Sequence, residues 1–189
     1  MNSKTSLEPL KIHLGSGILY KEGFVNVDID KAVKADVYHD LDIYPYPFKD
    51  NSAQVIIAKH IIEHLSNQMA FMQECYRILQ PNGKLIIECP IGGTWSSYHL
   101  NHKHNLTPWS FFIFKQKRWT FQIPFTFKIN TMVIYMPWIQ EKISFPWYFI
   151  YLNCFINNIF TKMRVELQKK GNGHEHMHKM DWRIKHVTK

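Results

Sequence analysis

Cysteine is scarce in this 189-residue chain: Cys75, Cys89 and Cys154 lie far apart and form no CxxC pair. That pattern argues against a disulfide framework or a thiolate zinc site, and with no secretory leader in view a reducing, cytoplasmic setting is expected. Long apolar runs are also missing. The one stretch that comes near, Ile143 to Phe160, is interrupted by Pro146, Asn153, Asn157 and Asn158. A membrane-spanning helix needs about 20 mainly apolar residues, so this segment reads as a buried or interfacial helix. Acidic residues are few in the second half, where residues 99–161 hold six basic side chains against one acidic and residues 162–189 eight against three. The net charge of +8 therefore belongs to that half, which predicts an affinity for anions without choosing among them. With 46% hydrophobic and 20% charged residues, the composition excludes disorder throughout and suits one globular domain.

Short β-rich runs alternate with turn residues in the first half: Leu10 to Leu14, Phe24 to Ile29, Asp36 to His39, Ala53 to Lys59 and Lys84 to Cys89. Several are almost continuously apolar, as buried parallel strands are. Between the fourth and fifth, the spacing predicts a helix capped by Ser66, with Met69, Met72, Tyr76 and Leu79 on one face and Pro81-Asn82-Gly83 at its end. The unit strand–helix–strand implies an open α/β sheet, whose ligands sit at the carboxyl ends of the strands.

The residues just past each strand are informative. Gly15-Ser16-Gly17 comes after the first, and by itself such a turn is commonplace. The second ends in Asp28, placed to accept the two hydroxyls of a ribose, and the third in Asp40-Leu41, a carboxylate and an apolar neighbour suited to flank an adenine. Each acid alone reads equally as a solvated loop carboxylate; three strand ends in order carry more weight.

The runs Lys11 to Gly17, Gly23-Phe-Val-Asn-Val-Asp28, Asp36 to Leu41, His60-Ile-Ile-Glu-His-Leu65 and Arg77 to Gly83 resemble class I S-adenosylmethionine-dependent methyltransferases, and most of all the small branch whose glycine loop leads almost directly into its second strand. The resemblance spans residues 10–90 and continues more faintly through Asn101 to Phe114. It implies a Rossmann-like, open and mostly parallel sheet with S-adenosylmethionine as cofactor. Gly15, Ser16 and Gly17 would pack against its methionine and ribose, Asp28 would take the ribose hydroxyls, Asp40 the adenine amino group, and Ile29 and Leu41 the two faces of the ring. His60 would stand near the methionine end, facing the substrate. Glu63 and His64 read as a cap and a structural pair at the start of the next helix. Two departures stand out: His13 occupies a position usually acidic, and the link Ile18 to Gly23 is too short for a crossover helix.

Methyl transfer to a hydroxyl or protonated amine needs a base, and His60, His99 and His102 are the candidates, with His104 beside them. The loop histidines at 99, 102 and 104 have metal-ligand spacing but no acid close by in the sequence, so no metal site is assigned. Residues 115–168 are expected to form an aromatic-rich substrate lid and the last strands, drawn from Phe125 to Ile129 and Arg164 to Leu167, within a single domain of residues 1–168 whose cofactor-binding core is 10–114. Residues 169–189, with His174, His176 and His178, read as a flexible basic tail. The expected acceptor is a small molecule, a glycan or an amphipathic compound; peripheral contact with an anionic membrane fits the lid, while nucleic acid does not. A non-catalytic binding or scaffold protein of the same fold is the alternative.

Overall fold

A computed structural model describes residues 9–114, 125–136, 161–171 and 181–186. Eight strands form one sheet in the order β3-β2-β1-β4-β5-β7-β6-β8. They are β1 (Leu10–Leu14), β2 (Val25–Asp28), β3 (Val37–Tyr38), β4 (Ala53–Lys59), β5 (Leu79–Pro90), β6 (Phe127–Met136), β7 (Lys162–Lys169) and β8 (Asp181–His186). The first five run parallel, with Ile12 opposite Val25 and Ile56, and Ile57 opposite Ile86. β7 is antiparallel to both β5 and β6. This is the open, doubly wound order with its reversal between β1 and β4, the place where such sheets bind ligands.

One helix of length crosses this sheet among the described residues: α1 (Gln68–Ile78), with Asn67 rather than Ser66 as its cap, since the Asn67 side chain accepts from the N–H of Ala70. Ser66 instead binds Asp42 through both its N–H and its hydroxyl. The helix buries Phe71, Met72, Cys75 and Ile78, while Met69, expected on that face, is exposed. Against α1 the sheet presents Ile12, Leu14, Ile56, Ala58, Leu85, Ile87, Val165 and Leu167, all buried. At the far end of α1 the Lys169 ammonium donates to the carbonyls of Tyr76 and Leu79 and to Asn51 Oδ1, so a residue expected to begin a loose tail is a helix anchor.

The link between β1 and β2 contains no helix. A buried side chain substitutes for it: Asn26 accepts from the Lys21 N–H at 2.8 Å and donates to the carbonyls of Lys21 and Phe24 at 3.0 and 2.9 Å. Asp36 fastens the same knot by accepting from the Asn26 N–H at 2.7 Å and from Tyr20 Oη at 2.9 Å. The backbone groups that a helix would have paired internally are thus paired to one amide.

The tail expectation is corrected at residues 181–186, which form β8 parallel to β6, with Thr131 opposite Asp181 and Ile134 opposite Ile184. Asp-Trp-Arg-Ile-Lys-His alternates polar and apolar, a strand pattern hidden by the polar histidine-rich residues before it. The histidines at 174, 176 and 178, the apolar segment 143–160 and residues 115–124 of the expected lid lie outside the described residues. Among the described residues no helix is long and apolar enough to cross a membrane.

Candidate functional site

The glycine turn, Asp28 and Asp40 come together at the carboxyl ends of β1, β2 and β3. Gly17 donates its N–H to Asp28 Oδ2 at 2.6 Å, and Asp28 Oδ1 accepts from the Asp30 N–H at 2.9 Å. One backbone bond is thereby made on each carboxylate oxygen, which leaves a further lone pair on both for a pair of hydroxyls. The Asp28 carbonyl accepts from the His39 N–H at 2.9 Å, which sets Asp40 directly beside the end of β2. Asp40 Oδ1 accepts from the Asp42 N–H.

Gly15 and Gly17 both have positive φ, +62° and +51°, a region that favours glycine. At Gly15 a Cβ would run into the Ile61 side chain, whereas at Gly17 it would meet open space. The turn is therefore closed below and open above. Beside it Ser16 is buried with its hydroxyl unpartnered, a polar atom that a bound ligand would satisfy. Ile29 is 63% exposed and free to cover one face of a ring, but Leu41 is buried in the core, so it offers a floor rather than an exposed flank. His13 is buried as well, and burial pushes its pKa down, which keeps it neutral near pH 7.

Beyond Ile61 a cleft of about 340 Å³ is lined by His60, His64, His99 and His102 together with Trp95 and Lys162. Three of the four candidate histidines reach it; His104 is exposed and does not line it. His60, in the left-handed region at φ +53°, holds its backbone by donating its N–H to the Glu88 carbonyl at 2.8 Å. A non-glycine residue in that conformation at the tip of a central strand is a strained position of the kind that clusters at functional sites. Its ring lies between two carboxylates, Nδ1 at 3.4 Å from Glu63 Oε1 and Nε2 at 3.8 Å from Glu88 Oε1. Burial works to raise the pKa of Glu88, but the hydrogen bond and charge of Lys162 outweigh it and hold the group ionised.

Glu63 and His64 do not begin α1, which starts four residues after His64. They sit in the turn between β4 and the helix, and Glu63 points inward at 2% exposure. Nothing in the local sequence marks this. The burial comes from a distant loop, whose Lys103 and His104 N–H groups donate to the Glu63 carbonyl and lay His102 alongside.

A family model described as a methyltransferase domain matches residues 16–87. That segment holds most of the glycine turn, Asp28, Asp40 and His60, in the order the geometry assembles them. Over that segment the chain is similar to a methyltransferase domain, and its sheet is of the Rossmann-like class I methyltransferase type. The chain is also 34% identical over 80 residues to a probable S-adenosylmethionine-dependent methyltransferase of Mycolicibacterium smegmatis, a match covering 38% of this chain and 31% of that one. The matched part is thus about a third of the length of that relative. Among solved structures, a methyltransferase from Archaeoglobus fulgidus superimposes with a TM-score of 0.60 at 18% identity, covering 85% of this chain and 86% of its own. One from Mesorhizobium loti does so with 0.54 at 10% identity, covering 85% and 91%. At these identities the structures speak for the fold, and the cofactor of the family is S-adenosylmethionine.

Proposed function

We propose that the chain binds S-adenosylmethionine across the ends of β1, β2 and β3 and transfers its methyl group to an acceptor lying in the histidine cleft. The observation that carries this is the convergence of Gly17 and Asp28 through a 2.6 Å hydrogen bond, with Asp40 set beside them. The residues fit the cofactor: a turn with no Cβ to obstruct it, carboxylate lone pairs facing outward, and an unpartnered buried hydroxyl at Ser16. When bound, the cofactor supplies an electrophilic methyl on a sulfonium that departs as a neutral thioether. What is left for the chain is alignment and exclusion of water. Gly15, Ser16 and Gly17 would hold the methionine and ribose, Asp28 the hydroxyls, Asp40 the adenine amino group, and Ile29 with Leu41 the ring. His60, flanked by Glu63 and Glu88, is the candidate base for an acceptor proton; His99 and His102 line the same cleft.

The rim favours a ring-shaped acceptor with polar edges, such as a sugar. Trp95 is 65% exposed, and its ring lies 6.2 Å from that of His99. An aromatic face beside imidazoles suits C–H groups on one side and hydroxyls on the other.

Titration calorimetry with S-adenosylmethionine, S-adenosylhomocysteine and NAD tests the cofactor assignment. We expect micromolar binding of the first two and none of the third. Asp28→Ala should weaken both by at least 100-fold with an unchanged circular dichroism spectrum. Failure of the wild-type chain to bind either sulfur compound would sink the proposal and favour a scaffold that keeps only the fold.

A further inference from the structure

Glu63 presents a physical problem. Its carboxylate is buried at 2% exposure, and neither oxygen has a hydrogen-bond partner, since His60 Nδ1 stands 3.4 Å from Oε1 without completing a bond. Leaving a charge in that state is costly unless something positive or hydrogen-bonding meets it. Lys103 and Lys162 are committed elsewhere: Lys103 reaches Ser66 at 2.7 Å and Asp42 at 3.4 Å, and Lys162 reaches Glu88 at 2.8 Å. His102 shows the complementary defect, a buried Nδ1 with no partner.

These two orphans share a neighbour. Glu63, His64 and His102 each place one ligating atom within 4.8 Å of the others'. His64 Nδ1 lies 3.1 Å from the Asn101 carbonyl, which fixes that nitrogen as the protonated one and leaves Nε2 as a lone-pair donor. A backbone carbonyl behind the ring is what orients a metal-binding imidazole. The rings of His64 and His102 stand edge-on at 4.7 Å, and both line the cleft together with His60. The acid missing from the sequence around the loop histidines is thus supplied by a residue 39 positions away.

We infer that Glu63, His64 and His102 form a binding site for a divalent first-row transition ion at the floor of the cleft. Two imidazoles and one carboxylate suit zinc, cobalt, iron or manganese, and disfavour magnesium or calcium, which take oxygen ligands. Three protein ligands leave coordination positions open, and two of the three residues, His64 and His102, line the cleft. On the methyltransferase reading, on which this last step rests, an acceptor oxygen bound there would be oriented and its loss of a proton favoured, with His60 next to it.

The test separates the ion from the cofactor and from the histidines of residues 174–178. Full-length chain carrying His174→Ala, His176→Ala and His178→Ala, stripped with chelator, is titrated with cobalt(II) while visible d–d absorption is recorded. We expect a band that saturates at one equivalent, a cobalt-dependent rise in melting temperature, and at least a tenfold loss of affinity in both Glu63→Gln and His102→Ala. Absence of the band would overturn the inference, as would a band indifferent to both substitutions. So would a Glu63→Gln variant that melts higher than the parent while the parent gains nothing from cobalt, the signature of a buried acid held protonated. S-adenosylhomocysteine calorimetry on the same parent keeps the two questions apart: binding without a cobalt response sinks the ion alone, and a cobalt response without binding sinks the cofactor assignment alone.

Discussion

Gly15 and Gly17 share a left-handed backbone, yet only one of them is hemmed in. Placing a methyl at Gly17 meets nothing, so Gly17→Ala carries the backbone penalty alone, roughly 1 kcal/mol. At Gly15 the same methyl must displace Ile61, and Gly15→Ala should cost about 2–4 kcal/mol in urea unfolding and reduce S-adenosylhomocysteine affinity far more than its neighbour's substitution does. Equal effects would mean that Ile61 yields. At this scale the sequence is legible where function sits on the strand itself: Gly15, Gly17, Asp28 and Asp40 each lie at a strand end or within a few residues of one, and counting positions places them. Glu63 is the opposite case. Its burial depends on a loop some forty residues on, and from the sequence it reads as part of the helix start.

The elements are held by polar knots as much as by packing. Removing Asn26 leaves the Lys21 N–H and two carbonyls without partners, and Asn26→Ala should therefore lower stability by about 3 kcal/mol, whereas Tyr20→Phe, which deletes one exposed bond to Asp36, should cost under about 1 kcal/mol. Comparing urea midpoints of the two variants checks this. In α1, Glu74 accepts from the Tyr46 N–H and from two nitrogens of Arg77. Burial would raise its pKa, but the Arg77 hydrogen bond and the Tyr46 N–H outweigh it, and the folded value lies below the ordinary 4.5. A depressed carboxylate stabilises the fold fully above the unfolded pKa and ceases to as pH falls through the folded one. Stability should hence decline on acidification below about pH 4.5, and Glu74→Gln should flatten that part of the curve while lowering its plateau. The link from β1 to β2 was legible as too short for a helix, because length alone decides it. What replaces the helix was not, since one amide serving three backbone groups has no sequence signature.

At the scale of the molecule, the strand order obeys alternation and crossover rules, and β1 and β4 coincide with their sequence-predicted limits. β8 is hidden in the sequence by the polar, histidine-rich residues that precede it. It covers the edge of β6 through six residue pairs. Deleting residues 172–189 should leave that edge exposed, lowering the melting temperature by several degrees and promoting self-association on a sizing column. An unaltered monomer would show that β8 is dispensable.

The helix-free passage from β1 to β2 has a kinetic corollary for the proposed cofactor. Ile18 at 89% exposure and Leu19 at 63% stand where a crossover helix would otherwise roof the adenosine. A nucleoside bound there would be held from beneath and at its edges, with no helix of that passage above it. On the proposed function, departure of spent S-adenosylhomocysteine would not wait for that passage to rearrange.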